Sequence, residues 1–446
     1  TAEFGIDAEV ENLFRAVVVR SPVLGAALQS FDATAALKQS GVVDVVKIKS
    51  GVAVVAQSYW QARKAAAALE LTWGKTELGS WSSDSIYKKF TETLNDSSQK
   101  GLECCDEGEG DKLLDQAETM VAADYYAPYL AHATMEPLNC TVAIKGDSCE
   151  IYLGTQSVQA SAGAAVYYGD FDADKVKMHP AFLGGGFGRR SLGDDVAEAV
   201  VIAKQTGRNI QVVWSREDDM SNDFYRPAAL VRMQAGVSKQ GLIETWAVRR
   251  VGPNIMGHMI DEWFEVLAPD YLNKGFADWL SKLGHPIFKR FIADPSNGDG
   301  IYGDYDTPNK AVRHVTQDPG LRTGFWRSVG HSSNAFFKES FIDELAQSVG
   351  IDELQFRLAN MKNNPRLTQA TELVAAKAGW GKALPEGHFH GLATHSSFGS
   401  AVAQIAEVSI QGSKIIVHKV TAAIHCGMVV NPGIVRDQVE GGIIYG

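Results

Sequence analysis

Apolar residues recur along this chain with two periods. Leu13–Arg20, 42–48 and 51–56 are short apolar runs with polar or glycine flanks and predict strands. The stretches opened by Asp32 and spanning 59–69 space their apolar residues as helices do. From Lys75 to Asp111 the pattern dissolves into Gly, Ser, Asp and Glu, which predicts a linker or surface excursion. Residues 140–144 and 150–153 predict a hairpin turning at Gly146-Asp147, and Val176, Met178 and 181–183 another strand. Val196, Val200 and Ala203 then mark a helix that Gly207 stops.

Farther on, 211–215 predicts a strand and Arg216 to Asp219 a solvated charge cluster. Residues 253–310 have little periodicity, and Trp263, Phe276, Trp279 and Phe288 are expected to cover a core. Phe337, Phe341 and Leu345 share one helix face, with helices over 352–361 and 368–378 behind them. The runs 402–410 and 414–424 predict a hairpin across Gly412-Ser413. Asn431-Pro432 is an N-cap and N1 pair for a helix carrying Ile434, Val435, Val439 and Ile443. Strands interleaved with helices in this way indicate an α+β (mixed α/β) fold.

Between one predicted strand and helix lie Gly184, Gly185, Gly186, Phe187, Gly188, Arg189 and Arg190. So many glycines permit positive φ and let a ligand reach the backbone amides without Cβ atoms in the way. Ser191 and Asp194 have capping-box spacing, which would start the helix just past the glycines with its positive end toward the loop. Arg189 stands where a dinucleotide fingerprint needs glycine, and Gly188-Arg189-Arg190 replaces the Gly-Lys-Ser/Thr of a phosphate loop. A tight structural turn is the plain alternative. Gln156, just past the 150–153 strand, is either a ligand group at a strand end or a cap on the following helix. Glycine-bounded loops also precede the helices near 330 and 427, as expected for a large polyanionic cofactor held by amides.

Charge and cysteines narrow the field. With 42 basic and 53 acidic side chains the net charge is −11, which argues against a nucleic-acid or anionic-membrane surface. No run is long and apolar enough for a membrane span. The 5 cysteines form no Cys-x-x-Cys pair, so iron-sulfur or zinc ligation within the chain is not expected. His388, His390 and His395 lack a carboxylate or cysteine at ligand spacing and read as an exposed strand edge. The start, without Met or a signal pattern, and the helix running to Gly446 with no polar tail are read as a piece of a longer protein, truncated at both ends.

Thr155-Gln156, the 182–190 loop, 325–330 and the segment from Asn431-Pro432 to Gly442 together resemble the molybdenum-binding large subunits of the xanthine oxidase family, most like the isoquinoline oxidoreductase beta branch. Supporting stretches are Phe4 to Asp7, Gly51 to Ala56 with Tyr59-Trp60, His132 to Cys140, Trp214 to Met220, Asp223 to Pro227 and Gly324 to His331. The resemblance implies an α/β hammerhead domain over 1–105 ending in an acidic linker, a first molybdenum-cofactor domain over 106–395 and part of a second over 396–446. It implies a molybdenum-molybdopterin cofactor, in the cytosine dinucleotide form, with no metal ligand from a side chain. Gln156 would bond the apical oxo group, and the amides of Phe187, Gly188 and Arg327 would face the other metal ligands. Gly185, Gly186 and Arg189 would line the cofactor, with Asn431 and Gln438 at the pterin or its phosphates.

The implied reaction is hydroxylation of an aldehyde or of a carbon next to a ring nitrogen, with oxygen from water and a glutamate as base. Electrons would leave through 2Fe-2S clusters on a small partner subunit, and a cytochrome c is the expected acceptor. A periplasmic location follows from the branch, with the cytoplasm as the alternative. No Gly-Glu-Pro segment occurs for the base, Ser191 replaces the glutamate of purine oxidisers, and Val329 replaces their sandwiching aromatic. Xanthine is therefore not the expected substrate, and the chain alone is expected to be inactive. The other class of reading is a catalytically silent scaffold that only binds a partner.

Overall fold

The computed structural model describes residues 2–259, 262, 263, 266 and 294–446. Phe276, Trp279 and Phe288 lie outside the described residues. The main sheet has seven strands in the order Val176–Pro180, Ser148–Leu153, Asn139–Lys145, Asn209–Val213, Leu13–Arg20, Gly51–Ala56, Val42–Ile48. Leu13–Arg20 runs parallel to Asn209–Val213, pairing Ala16 with Val212, so early and later chain share one sheet. The helices Val158–Gly169 and Asp194–Thr206 cover it, burying Ala160, Ala164, Val196, Ala199 and Val200 against Cys140, Val142 and Ile151. Continuous apolar runs such as Val52 to Ala56, buried throughout, are what a strand covered on both faces requires.

A second sheet has five strands, ordered Leu102–Glu107, Asn309–Thr316, Ile243–Gly252, Ala229–Val237, Thr119–Ala127. His331–Ser348 packs on it through Phe337, Phe341 and Leu345, the expected apolar face. A third sheet of His388–Ser397, Ser400–Gln411 and Lys414–His425 carries the expected hairpin and leads into the helix Pro432–Tyr445, which buries none of its residues. Among the described residues no helix is long and apolar enough to cross a membrane. The mixed helix-and-sheet architecture agrees with the expected fold class.

Two local expectations are corrected. The stretch read as a linker contains the helix Ser83–Asn95 and the strand Leu102–Glu107. Ser82 and Ser85 form its capping box, and Ile86, Phe90 and Leu94, spaced four apart, are buried against Ala228, Leu230, Val251 and Val315. Three apolar residues suffice because only one stripe meets the sheet. Arg216 to Asp219 is not simply solvated: it opens the helix Arg216–Ser221, and Asp219 is buried in an ion pair with Arg216.

Candidate functional site

The glycine loop is shaped from behind by Arg190. This buried guanidinium donates to the carbonyl oxygens of Gly185 (3.0 Å), Gly154 (3.2 Å), Glu136 (2.7 Å) and Pro137 (3.1 Å), and pairs with the Glu136 carboxylate at 3.2 Å. Glu136 in turn accepts the Gly184 and Ile6 N–H groups. Loop carbonyls are thus satisfied on the buried side. Among the described residues the N–H groups of Gly185, Gly186 and Phe187 have no acceptor. Gly185 and Phe187 hold φ of 97° and 54°, a succession of turned amides that forms an anion-binding concavity.

Gln156 borders this concavity. Its Oε1 accepts the Gly188 N–H at 2.9 Å, while its Nε2 makes no hydrogen bond among the described residues and the side chain is exposed. The helix-cap alternative is excluded, because Ser157 caps Val158–Gly169 by accepting from the Ala160 N–H. A Cβ at Gly186 would stand 2.4 Å from Gln156 Oε1, and one at Gly188 2.0 Å from the Phe325 carbonyl oxygen. Only glycine lets these segments approach so closely.

The second loop closes on the first. Arg327 N–H donates to Phe187 O at 2.6 Å, and Arg327 and Val329 hold φ of 28° and 55°. Of the seven non-glycine residues at positive φ among the described residues, Ala133, Phe187, Arg327 and Val329 lie in these adjoining segments. Such a concentration of backbone strain is typical of ligand sites. The Arg327 guanidinium donates to Gln438 Oε1 at 3.1 Å, and Tyr445 packs on Phe187 with ring centres 4.4 Å apart.

Several expected contacts are corrected. The amides of Gly188 and Arg327 are already committed, to Gln156 and Phe187, so they do not face a ligand in this conformation. Arg189 is buried beneath the loop, bidentate to Asp194 at 2.8 and 2.7 Å and in an ion pair with Asp223 at 2.9 Å. Burial opposes its charge, but those carboxylates outweigh it and raise the guanidinium's pKa. Asn431 caps its own helix, accepting from Gly433 and Ile434 N–H. Ser191 and Asp194 form no capping box: Gly193 caps Asp194–Thr206, and Ser191 Oγ donates to Gly188 O at 2.6 Å. The helix therefore begins farther from the glycines than their spacing suggests.

Sequence reasoning gave no role to Glu136, Arg190, His132 or Asp223. Their signal was a dense run of polar residues, His132, Thr134, Glu136 and Asn139, among apolar neighbours, all of which are buried. His395 is not at an exposed edge either. Its Nε2 lies 2.8 Å from His331 Nδ1 and its Nδ1 3.0 Å from Lys338 Nζ, and Lys338 pairs with Asp304. Burial and the Lys338 ammonium push its pKa down to about 3. No group of three or more His, Cys, Asp or Glu side chains among the described residues is placed to hold a metal ion.

Uncommitted neutral donors, glycines that a Cβ would block and a strained second loop fit a group rich in oxygen acceptors. Residues 94–252 match the family model described as molybdopterin cofactor-binding domain. The chain carries this domain and is similar to molybdenum-binding subunits of the xanthine oxidase family. Its molybdopterin cofactor-binding domain contains Gln156 and the whole glycine loop. The chain is 28% identical to the beta chain of the isoquinoline 1-oxidoreductase of Brevundimonas diminuta, over 99% of this chain and 55% of that protein. It is 23% identical to the molybdenum-binding chain of an aldehyde oxidoreductase of Escherichia coli, over 69% of this chain and 37% of that one. The fold is similar to that of the aldehyde oxidoreductase of Desulfovibrio gigas, with a TM-score of 0.64 at 16% identity, covering 94% of this chain and 50% of that one. The chain spans about half, or less, of the length of these relatives.

Proposed function

We propose that this chain is part of the large subunit of a molybdenum hydroxylase that oxidises an aldehyde or an N-heterocyclic carbon, taking oxygen from water. The observation that carries the reading is the set of neutral donors at the glycine loop: the Gly185, Gly186 and Phe187 amides with Gln156 Nε2. When bound, molybdopterin supplies the two-electron oxidation. The protein's part is to aim fixed, uncharged donors at oxygen atoms that gain charge during that oxidation, where preorganised dipoles act most strongly. Arg190 keeps the Gly185 carbonyl turned away, and Gln156 is held in place by the Gly188 N–H. Arg327 with Gln438 adds a cationic edge where phosphate groups would be held.

The base is proposed to come from the longer subunit. Glu136, the acid nearest the loop, is committed to Arg190, Gly184, Ile6 and Asn139 and has no role as a proton acceptor. Turnover is accordingly proposed for that subunit and not for these residues alone. The cytosine dinucleotide form, a small 2Fe-2S subunit, a cytochrome c acceptor and a periplasmic site belong to the same proposal and rest on the resemblance. So do the working units 1–105, 106–395 and 396–446, although the first two share the seven-stranded sheet.

The test is molybdenum and released cytosine nucleotide in the longer subunit purified with its partner from a host that makes the cofactor. About one molybdenum per chain is expected. Folded protein without metal would leave the silent scaffold as the better reading.

A further inference from the structure

His132 lies in the layer beneath both loops, with 2% of its surface exposed. Its backbone N–H and Nδ1 meet Asp223 Oδ2 at 2.5 and 2.8 Å, and its Nε2 meets the Phe325 carbonyl oxygen at 2.6 Å. A carbonyl oxygen only accepts, so Nε2 must carry a proton. Asp223 Oδ1 also forms an ion pair with the Arg189 guanidinium at 2.9 Å and accepts the Phe224 N–H at 2.7 Å. Its two oxygens face the Arg189 guanidinium and the Phe224 and His132 backbone N–H groups, all of them donors, which is the setting of a carboxylate. Nδ1 must then donate as well, and the ring has both protons.

Arg189, Arg190 and Arg322 lie in the same buried layer as His132, Asp194, Asp223 and Glu136. Of the other titratable groups around Asp223, burial raises the pKa of both Asp219 and Tyr225. Asp195, beside Asp194 on the same helix, is raised by burial and by the Asp194 charge.

We propose that His132 is held as a buried imidazolium and is the positioning residue that ties Phe325 to Asp223 and Arg189, fixing the Phe325–Arg327 turn against the glycine loop. Gly188 lies in this tie: a Cβ there would be 2.0 Å from Phe325 O and 3.4 Å from His132 Nε2. The functional importance of the tie rests on reading the two loops as a cofactor site. Its protonation and its mechanical role do not, and both are measurable without molybdenum.

The first experiment is a long-range proton–nitrogen correlation on protein labelled with ¹⁵N-histidine, at neutral pH, with His132 assigned by its loss in His132→Gln. Both His132 ring nitrogens are expected to be protonated, whereas His395 in the same spectrum shows one protonated and one bare nitrogen. A bare nitrogen on His132 would overturn the proposal. The second is hydrogen exchange by mass spectrometry on His132→Ala, or on His132→Gln if the alanine variant does not fold. Exchange in the peptides holding Gly188 and Arg327 should rise at least about tenfold while that of the Asp194–Thr206 helix stays unchanged. A uniform rise, or none, would reduce His132 to ordinary packing. Failure to bind molybdenum would alter neither result.

Discussion

The Arg327 N–H reaches the Phe187 carbonyl oxygen at 2.6 Å, joining two turns far apart in the sequence. Both residues have positive φ without being glycine, so each conformation depends on the contacts that hold the other. The candidate site is this junction together with the donors beside it.

Gly188→Ala should damage the junction directly. The new Cβ would fall 2.0 Å from Phe325 O on a backbone with φ of 110°, and the obstacle is main chain. A loss of about 2–4 kcal/mol in urea unfolding is expected, the range of strained and overpacked sites. Unchanged stability would mean that the loops are not packed as described.

Gln156→Glu separates acceptor from donor. The variant keeps an oxygen for the Gly188 N–H and loses Nε2, so folding should be nearly unaffected. In the longer subunit kcat should fall roughly 10²–10³-fold, the usual effect of removing one preorganised donor. A variant as active as wild type would take Gln156 out of the chemistry.

Arg190→Lys should destabilise although the charge is kept. One ammonium cannot reproduce a fork that reaches four carbonyl groups and the Glu136 carboxylate. The expected cost is about 3 kcal/mol, with a matching fall in Tm. A loss within error would show that the loop does not depend on this residue.

Asp195 gives a signed pH dependence. Burial and the neighbouring Asp194 charge push its pKa from 3.8 up to about 7, while its Oδ1 accepts the Val196 N–H at 2.9 Å. The folded protein therefore holds this proton more tightly than the unfolded chain. The stability it contributes is fully present below pH 3.8 and is lost as the pH rises to about 7. Asp195→Asn keeps the acceptor and removes the titration. Relative to wild type it should gain roughly 2–4 kcal/mol between acid and neutral pH and level off above. A pH-independent difference would contradict the buried placement of this carboxyl.

What the sequence disclosed and what it hid have physical causes. The glycine loop could be singled out by residue type, because close approach to backbone amides needs glycine, but Gln156 stayed open between ligand group and helix cap until the resemblance gave it a role. The Ser83–Asn95 helix was hidden because Ile86, Phe90 and Leu94 are spread among polar residues that stay in water. Arg189 and Arg190 follow the glycines as a ligand's partners would, yet both turn inward, to Asp194 and Asp223 and to loop carbonyls. Partners such as Glu136, His132 and Asp223 come from separate parts of the chain, and only tertiary packing reveals that they share one buried layer.

The most direct measurement is anomalous diffraction at the molybdenum absorption edge, on crystals of the longer subunit with its cofactor. A single strong peak is expected in front of the Gly185, Gly186 and Phe187 amides, on the side of Gln156 Nε2. A peak elsewhere in the subunit, with this concavity filled by side chains, would contradict it.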